Sequence, residues 1–278
     1  MIFKKSVVLL CLLAGLNSYA QDSTVVQRES KTSRKEEKRQ RKNAIIKQEE
    51  EGVLSYSKQS IGGLQLRTSG VGLMYELGRA KSPRFTNLYL VELSETKHRK
   101  EERQETTQGI FSNSFVYGKV NHFYQLKFGF GQQYILGQKG NKNGVAVMAV
   151  YQGGLALGLL RPYYLNVSPA NENDRDIKYD SADSTLFLSA GKINGSSGIR
   201  KGWNELKFRP GVFAKAALRF DFGRFNESVQ AVEIGISADG YSQKIQIMAP
   251  RSTSGEVAIK PRQMFFQAHI AFLFGRRR

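Results

Sequence analysis

The sequence has one cysteine, Cys11, and it lies inside an N-terminal segment with the form of an export leader. Met1 to Ala20 has a short basic start (Lys4, Lys5), an apolar run from Val7 to Leu16, and small residues at Ser18 and Ala20, where a signal peptidase inspects the chain. Leu10 is not the small residue that a lipoprotein site needs before its cysteine. The expected mature chain therefore begins at Gln21 and has no thiol, which excludes a disulfide framework, a cysteine nucleophile and thiolate metal ligands. No apolar run reaches 18 residues, which excludes helical membrane spans; the leader's own run, about ten residues, is too short to cross roughly 30 Å of hydrocarbon. Histidine is scarce, at 3 of the 278 residues. No motif has metal-ligand spacing, and no cofactor is expected. His122 with Ser112 or Ser114 is the one nucleophile–base pairing the sequence offers. It is the basis of a remote alternative, a lipid-modifying enzyme; a non-enzyme is expected. Proline is scarce at 6, while glycine is abundant at 27.

Negative charge is also in short supply. Lys and Arg number 42 against 24 Asp and Glu, a formal charge of +18 that falls to +16 with the loss of Lys4 and Lys5. In a cytoplasmic chain that balance would suggest nucleic acid. In an exported chain the expected partners are lipid phosphates, anionic polysaccharide or an acidic protein, and no nucleic acid. After the signal peptide (1–20), residues 21–59 read as a charged periplasmic arm. Within it, Ser33 to Lys42 can form a polar helix supported by Glu37 and Arg41 at i,i+4. That helix has no apolar stripe with which to join a core; a solvated tether or a docking arm both fit.

From residue 60 to 278 the pattern becomes period-2. Met264, Phe266, Ala268, Ile270, Phe272 and Phe274 make one apolar face, while Gln267 and His269 point away. This is how the lipid-facing closing strand of an outer-membrane β-barrel reads, with Phe266, Ile270, Phe272 and Phe274 as its insertion face. Similar alternation runs through Val71–Leu77, Tyr89–Leu93, Tyr124–Phe130, Val145–Leu160, Val212–Phe222 and Val232–Ala238. The connections near 80–84, 138–143 and 223–228 are short and those near 96–116, 168–207 and 244–261 are long. That is the asymmetry of periplasmic turns and extracellular loops. With both ends on the periplasmic side the strand number must be even, so Ile61–Leu66 is expected to supply an eighth strand joined by an unusually short loop, Arg67 to Gly70. The expected fold is all-β: a transmembrane antiparallel up-and-down barrel of eight strands, or ten if a loop hides a hairpin.

If the apolar faces meet lipid, then Glu76, Glu92, Lys127, Lys215, Arg219, Asp221, Glu233 and His269 point inward with Gln125, Gln133 and Gln267. An eight-stranded interior is just wide enough for side chains to fill, so these charges are expected to pair and plug the lumen. Outside it, Lys97, Arg99 and Lys100 in the first long loop, and Arg200, Lys201 and Trp203 in the second, are candidate contacts to lipopolysaccharide or a protein partner. Phe115, Tyr117 and His122 fit an interfacial aromatic belt. Ser184–Leu188, with Trp203, fits a protein-binding surface or a folded lid.

Phe208–Lys215, Phe220-Asp221-Phe222-Gly223, Gln246–Ala249, Gly118–Asn121, Gly129–Gln133 and the closing Phe274-Gly275-Arg276-Arg277 resemble a Bacteroidota outer-membrane β-barrel family. Such chains often have proline after Lys97-His98, where this one has Arg99. The resemblance covers roughly 60 to 278 and implies an outer-membrane barrel; it brings no catalytic residues with it. Two functions fit these readings: an accessory or scaffold in an envelope assembly, secretion or transport complex, contacted through the arm or long loops, or a small passive channel.

Overall fold

Side chains of a strand alternate between two faces, and here the alternation is kept through eight strands of a closed sheet. A computed structural model of the chain describes residues 35–40, 43, 56–105, 114–140, 143–169, 173–180, 182–224, 227–250 and 259–278. The leader and most of the arm lie outside the described residues; in the arm, 35–40 and Asn43 are helical.

The strands are β1 (Lys58–Arg67), β2 (Gly70–Ala80), β3 (Phe85–Thr96), β4 (Arg103–Gln104), β5 (Phe115–Val116), β6 (Asn121–Gly137), β7 (Ala146–Pro162), β8 (Tyr164–Val167), β9 (Arg175–Lys178), β10 (Ile193–Ser196), β11 (Lys207–Asp221), β12 (Ser228–Ile245) and β13 (Arg262–Arg277). Eight of them close an up-and-down antiparallel barrel in the order β1-β13-β12-β11-β7-β6-β3-β2. The eight-strand expectation holds, including the first strand and its tight link, since β1 ends at Arg67 and β2 begins at Gly70. Closure is made by β1 against β13, from Gln59 opposite Arg277 to Arg67 opposite His269. No ladder edge is left open along this seam.

The outward face is a continuous apolar belt. Leu64, Leu73, Tyr89, Val91, Phe130, Leu155, Val212, Ile236 and Phe266 are all exposed, while their strand neighbours are buried or half-buried. Exposed aliphatic and aromatic surface wrapped round a sheet, with charged residues within, is what hydrocarbon as the outer solvent requires. β6 and β7 are each 17 residues long, about 56 Å at roughly 3.3 Å per residue. This exceeds the ~30 Å hydrocarbon layer even with strong tilt, so their extracellular ends stand above it.

There the second long loop folds into a small sheet packed against the first long loop. β8 continues β7 after Tyr163 and takes β9 and β10 on either side as a three-stranded sheet. So the loop does hide strands, but they sit outside the barrel and leave its count at eight. Leu165, Val167, Ile177, Ile193, Phe187, Tyr163 and Phe115 form a separate apolar cluster under this sheet. This corrects the expected aromatic belt at one position: Phe115 is buried in the cluster at 4% exposure. Ser184–Phe187 is a short helix whose Phe187 is fully buried, so the segment is a folded support and its apolar side is not on offer to a partner.

Inside the barrel, bulky side chains lie over glycines. A Cβ on Gly129 would come within 2.7 Å of the Phe213 ring, and one on Gly154, its cross-strand partner, within 2.1 Å of the Phe128 carbonyl. At Gly137 a Cβ would meet nothing within 4 Å. Gly154→Val is therefore expected to remove the compact, fast-migrating form of the folded barrel in unheated gel electrophoresis. Gly137→Ala is expected to keep it.

Candidate functional site: a filled lumen below a folded extracellular sheet

A narrow lumen excludes bulk water, so each inward charge needs a partner within the wall. Every inward residue anticipated from the alternation (Glu76, Glu92, Lys127, Lys215, Arg219, Asp221, Glu233 and His269) is buried. Arg219 lies at the centre. Its Nη2 is 2.6 Å from Glu76 and 2.6 Å from Glu233, its Nε donates to Glu233 at 2.9 Å, and its Nη1 donates to Gln133 at 3.1 Å. Glu233 is also 2.7 Å from Lys215 and 3.3 Å from His269, and Glu76 accepts from Gln152 at 2.8 Å. One guanidinium thus links β11, β12, β2 and β6 in the fork geometry that suits carboxylates.

Nearer the extracellular mouth is a second group. Lys127 donates to Asp239 at 2.6 Å and lies 3.5 Å from Glu92. Arg67 reaches Glu92 at 3.0 Å, Asp239 at 3.3 Å, Ser94 at 2.6 Å, Gln125 at 2.9 Å and Ser237 at 3.1 Å. Neither Arg67 nor Asp239 was anticipated. Arg67 adjoins a link that reads as a loop, and Asp239-Gly240 reads as a turn, although β12 runs on to Ile245. Continuing the period-2 count through both would have found them. Asp221 belongs to a third group at the periplasmic end, where it is paired with Arg277 and lies 3.8 Å from Lys139. Arg277 in turn sits 4.9 Å from the Tyr56 ring, whose hydroxyl meets Thr86 at 2.9 Å and Gln133 at 2.9 Å. The phenol bridges the lower and central groups.

Apolar layers separate and cap these groups. Phe213 lies 5.2 Å beneath the Lys127 ammonium. Above the charges, Phe123, Tyr241 and Phe265 meet ring against ring at 5.3 to 6.0 Å. The chain after β12 then folds back over this aromatic layer. The Ile247 carbonyl accepts from Val120 and Asn121, Ala249 N–H donates to the Gly118 carbonyl, and Ile247, Met248 and Ala249 are buried. Ile247 and Met248 thus pack on the aromatic layer at the extracellular end of the barrel.

His122, at the start of β6, is 3.3 Å from Glu95 and stacks on Tyr124. Among the described residues its polar partner is the Glu95 carboxylate; Ser112 lies outside them. Among the described residues no cluster of three or more His, Cys, Asp and Glu could hold a metal.

Of the anticipated loop contacts, Lys97, Arg99, Lys100 and Arg200 are exposed. Lys201 is paired with Asp176. Trp203 is half-exposed: it stacks on Tyr124 at 5.8 Å, faces Arg161 at 4.9 Å and donates to the Ile199 carbonyl. It ties the loop sheet to the barrel wall. Beside that sheet Glu205 accepts from Lys178 at 2.5 Å and from Tyr164 at 2.6 Å, and these two bonds hold its carboxyl below the usual range. Phe266, Ile270, Phe272 and Phe274 all face outward on β13.

No family model and no curated protein matches the chain. Among solved structures it is similar to Ail, the attachment invasion locus protein of Yersinia pestis, at 7% identity and a TM-score of 0.35, over 81% of this chain and 100% of that one. At that score the likeness carries no argument, and the fold rests on the strand pairing.

Arg219→Met would leave Glu76 and part of Glu233 buried without their cation. The expected cost is about 3–5 kcal/mol, seen as a lower urea midpoint for the folded form in detergent. Lys178→Met, at an exposed pair, is expected to cost less than ~1 kcal/mol by the same measurement.

Proposed function

We propose that the chain is a non-enzymatic outer-membrane barrel that serves as an anchor or scaffold in an envelope assembly, secretion or transport complex. The filled lumen carries this reading: ion-paired side chains and the folded-back segment after β12 occupy the space a pore would need. What remains for recognition is the surface above the lipid belt, namely the β8-β9-β10 sheet and the exposed cations Lys97, Arg99, Lys100 and Arg200, together with the charged arm read from the sequence. Basic groups at that height suit the phosphates of lipopolysaccharide, while a self-folded sheet mounted on a long β-strand suits a protein partner. The leader and the resemblance to Bacteroidota barrels support the outer-membrane placement. The lumen's occupation counts against a passive channel, and the Glu95 carboxylate at 3.3 Å from the His122 imidazole supports a structural ion pair at the barrel mouth.

Purified barrel in planar bilayers is expected to give no steady single-channel conductance; a stable ohmic step would favour the channel instead. In intact envelopes, crosslinking is expected to capture a defined partner, with yield reduced by deletion of residues 22–51 or by Arg99→Glu with Lys100→Glu. Recovery of monomer alone would sink the scaffold reading.

A further inference from the structure

We propose that the periplasmic end of the β1–β13 seam binds an anionic phospholipid, one whose phosphate carries an uncompensated negative charge. The proposal rests on the outer-membrane placement above and adds a ligand to a surface not yet used. On the outer face, β1 is unusually slight. Ser60 lies in register between Leu77 of β2 and Arg276 of β13, and Gly62 between Tyr75 and Phe274. Small residues flanked by large ones make a trough along β1, with Leu77 and Phe274 exposed as its apolar walls. Nothing fills the floor: a Cβ built on Gly62 would meet no atom within 4 Å. The Tyr75 hydroxyl meets Ser60 Oγ at 2.8 Å and steadies one wall. The resulting groove is about 600 Å³.

Its lower rim is cationic. Lys58, Arg79, Arg276 and Arg278 all line the groove and are exposed, and no ion pair to any of them is recorded among the described residues. No Asp or Glu lines the groove. The rim lies at the end with the short turns and both barrel termini, which is the periplasmic end of such a barrel. Going upward from it, the surface changes from guanidinium and ammonium groups to Leu77 and Phe274, then to the lipid belt. An occupant must therefore be an amphiphile, with an acyl chain along Gly62 and an anionic head among the arginines. Guanidinium forks suit phosphate oxygens, and basic groups at a headgroup surface favour anionic over zwitterionic lipid. Free phosphate shares the head chemistry but would leave the apolar trough unused.

The test uses the full chain, extracted in neutral detergent and titrated separately with phosphatidylglycerol, phosphatidylcholine and inorganic phosphate, with bound mass read by native mass spectrometry. Phosphatidylglycerol is expected to be retained one to one, at about tenfold lower concentration than phosphatidylcholine. Inorganic phosphate is expected not to be retained. Arg79→Gln with Arg276→Gln should weaken phosphatidylglycerol retention about thirtyfold, in line with the usual contribution of a pair of surface cations. Gly62→Leu, which fills the trough and leaves the charges, should lower retention while the unheated gel migration stays that of the folded barrel. If Gly62→Leu does not fold, Ser60→Leu serves the same purpose. Equal retention of both lipids, phosphate retained as well as phosphatidylglycerol, or variants without effect would each overturn the proposal. Membrane fractionation scores the outer-membrane placement separately, so the two readings can fail independently.

Discussion

A buried charge without a partner is among the costliest things a folded chain can contain, and an eight-stranded lumen offers bulk water to none of its charges. That constraint orders this molecule. Five carboxylates (Glu76, Glu92, Asp221, Glu233, Asp239) and six permanent cations (Arg67, Lys127, Lys139, Lys215, Arg219, Arg277) are buried within the wall. They can coexist there because each side chain is handed across from a different strand. Arg219 sits on β11, but its carboxylates come from β2 and β12. Arg67 on β1 meets Glu92 of β3 and Asp239 of β12. Such pairs form only when the barrel is closed and in register, because a one-residue slip would turn a strand's charges toward lipid. The charge network therefore specifies register more than it adds raw stability.

The outer face and the inner face were legible to different degrees. The belt was readable because hydrocarbon tolerates only apolar side chains, so Val71, Leu73, Tyr75 and Leu77 repeat without interruption. The lumen accepts Met74, Leu90 and Phe213 as readily as Lys127 or Glu233. Its polarity is uneven, and the inner face could be assigned only as the complement of the outer one. Where a strand runs past the belt, even that guide is lost. Arg67 and Asp239 sit at such ends, next to Thr68-Ser69 and Gly240, whose local chemistry reads as turn. The strands of the loop sheet are four residues each, too short for period-2 to register. Their support is the remote contact of Phe115 and Phe187 in one cluster, which no local pattern encodes.

The two parts of the barrel region are held by different forces. In the wall, ladders and buried ion pairs fix the strands against one another. In the loop sheet the ion pairs Arg175–Asp183 and Lys178–Glu205 are exposed, where such pairs contribute little. Its cohesion must come from the Leu165, Val167 and Phe187 cluster and from the stack of Trp203 on Tyr124 and Arg161. A partner could remodel the sheet's exposed edges β9 and β10 without disturbing the lumen below.

The charge balance also takes on a location. The formal excess is +18 over the whole chain, yet the lumen is close to neutral. Positive charge therefore lies mostly outside the lumen. Lys97, Arg99, Lys100 and Arg200 stand at one rim, with Lys58, Arg79, Arg276 and Arg278 at the other. These are the heights at which a bilayer presents phosphate, and charges there act on the membrane surface within a Debye length of roughly 8 Å at physiological salt. A basic balance that in a cytoplasmic chain would suggest nucleic acid is, in this geometry, two bands of cations bracketing a hydrophobic wall. They oppose displacement of the barrel along the membrane normal, because moving either band toward the hydrocarbon would strip it of water and phosphate together.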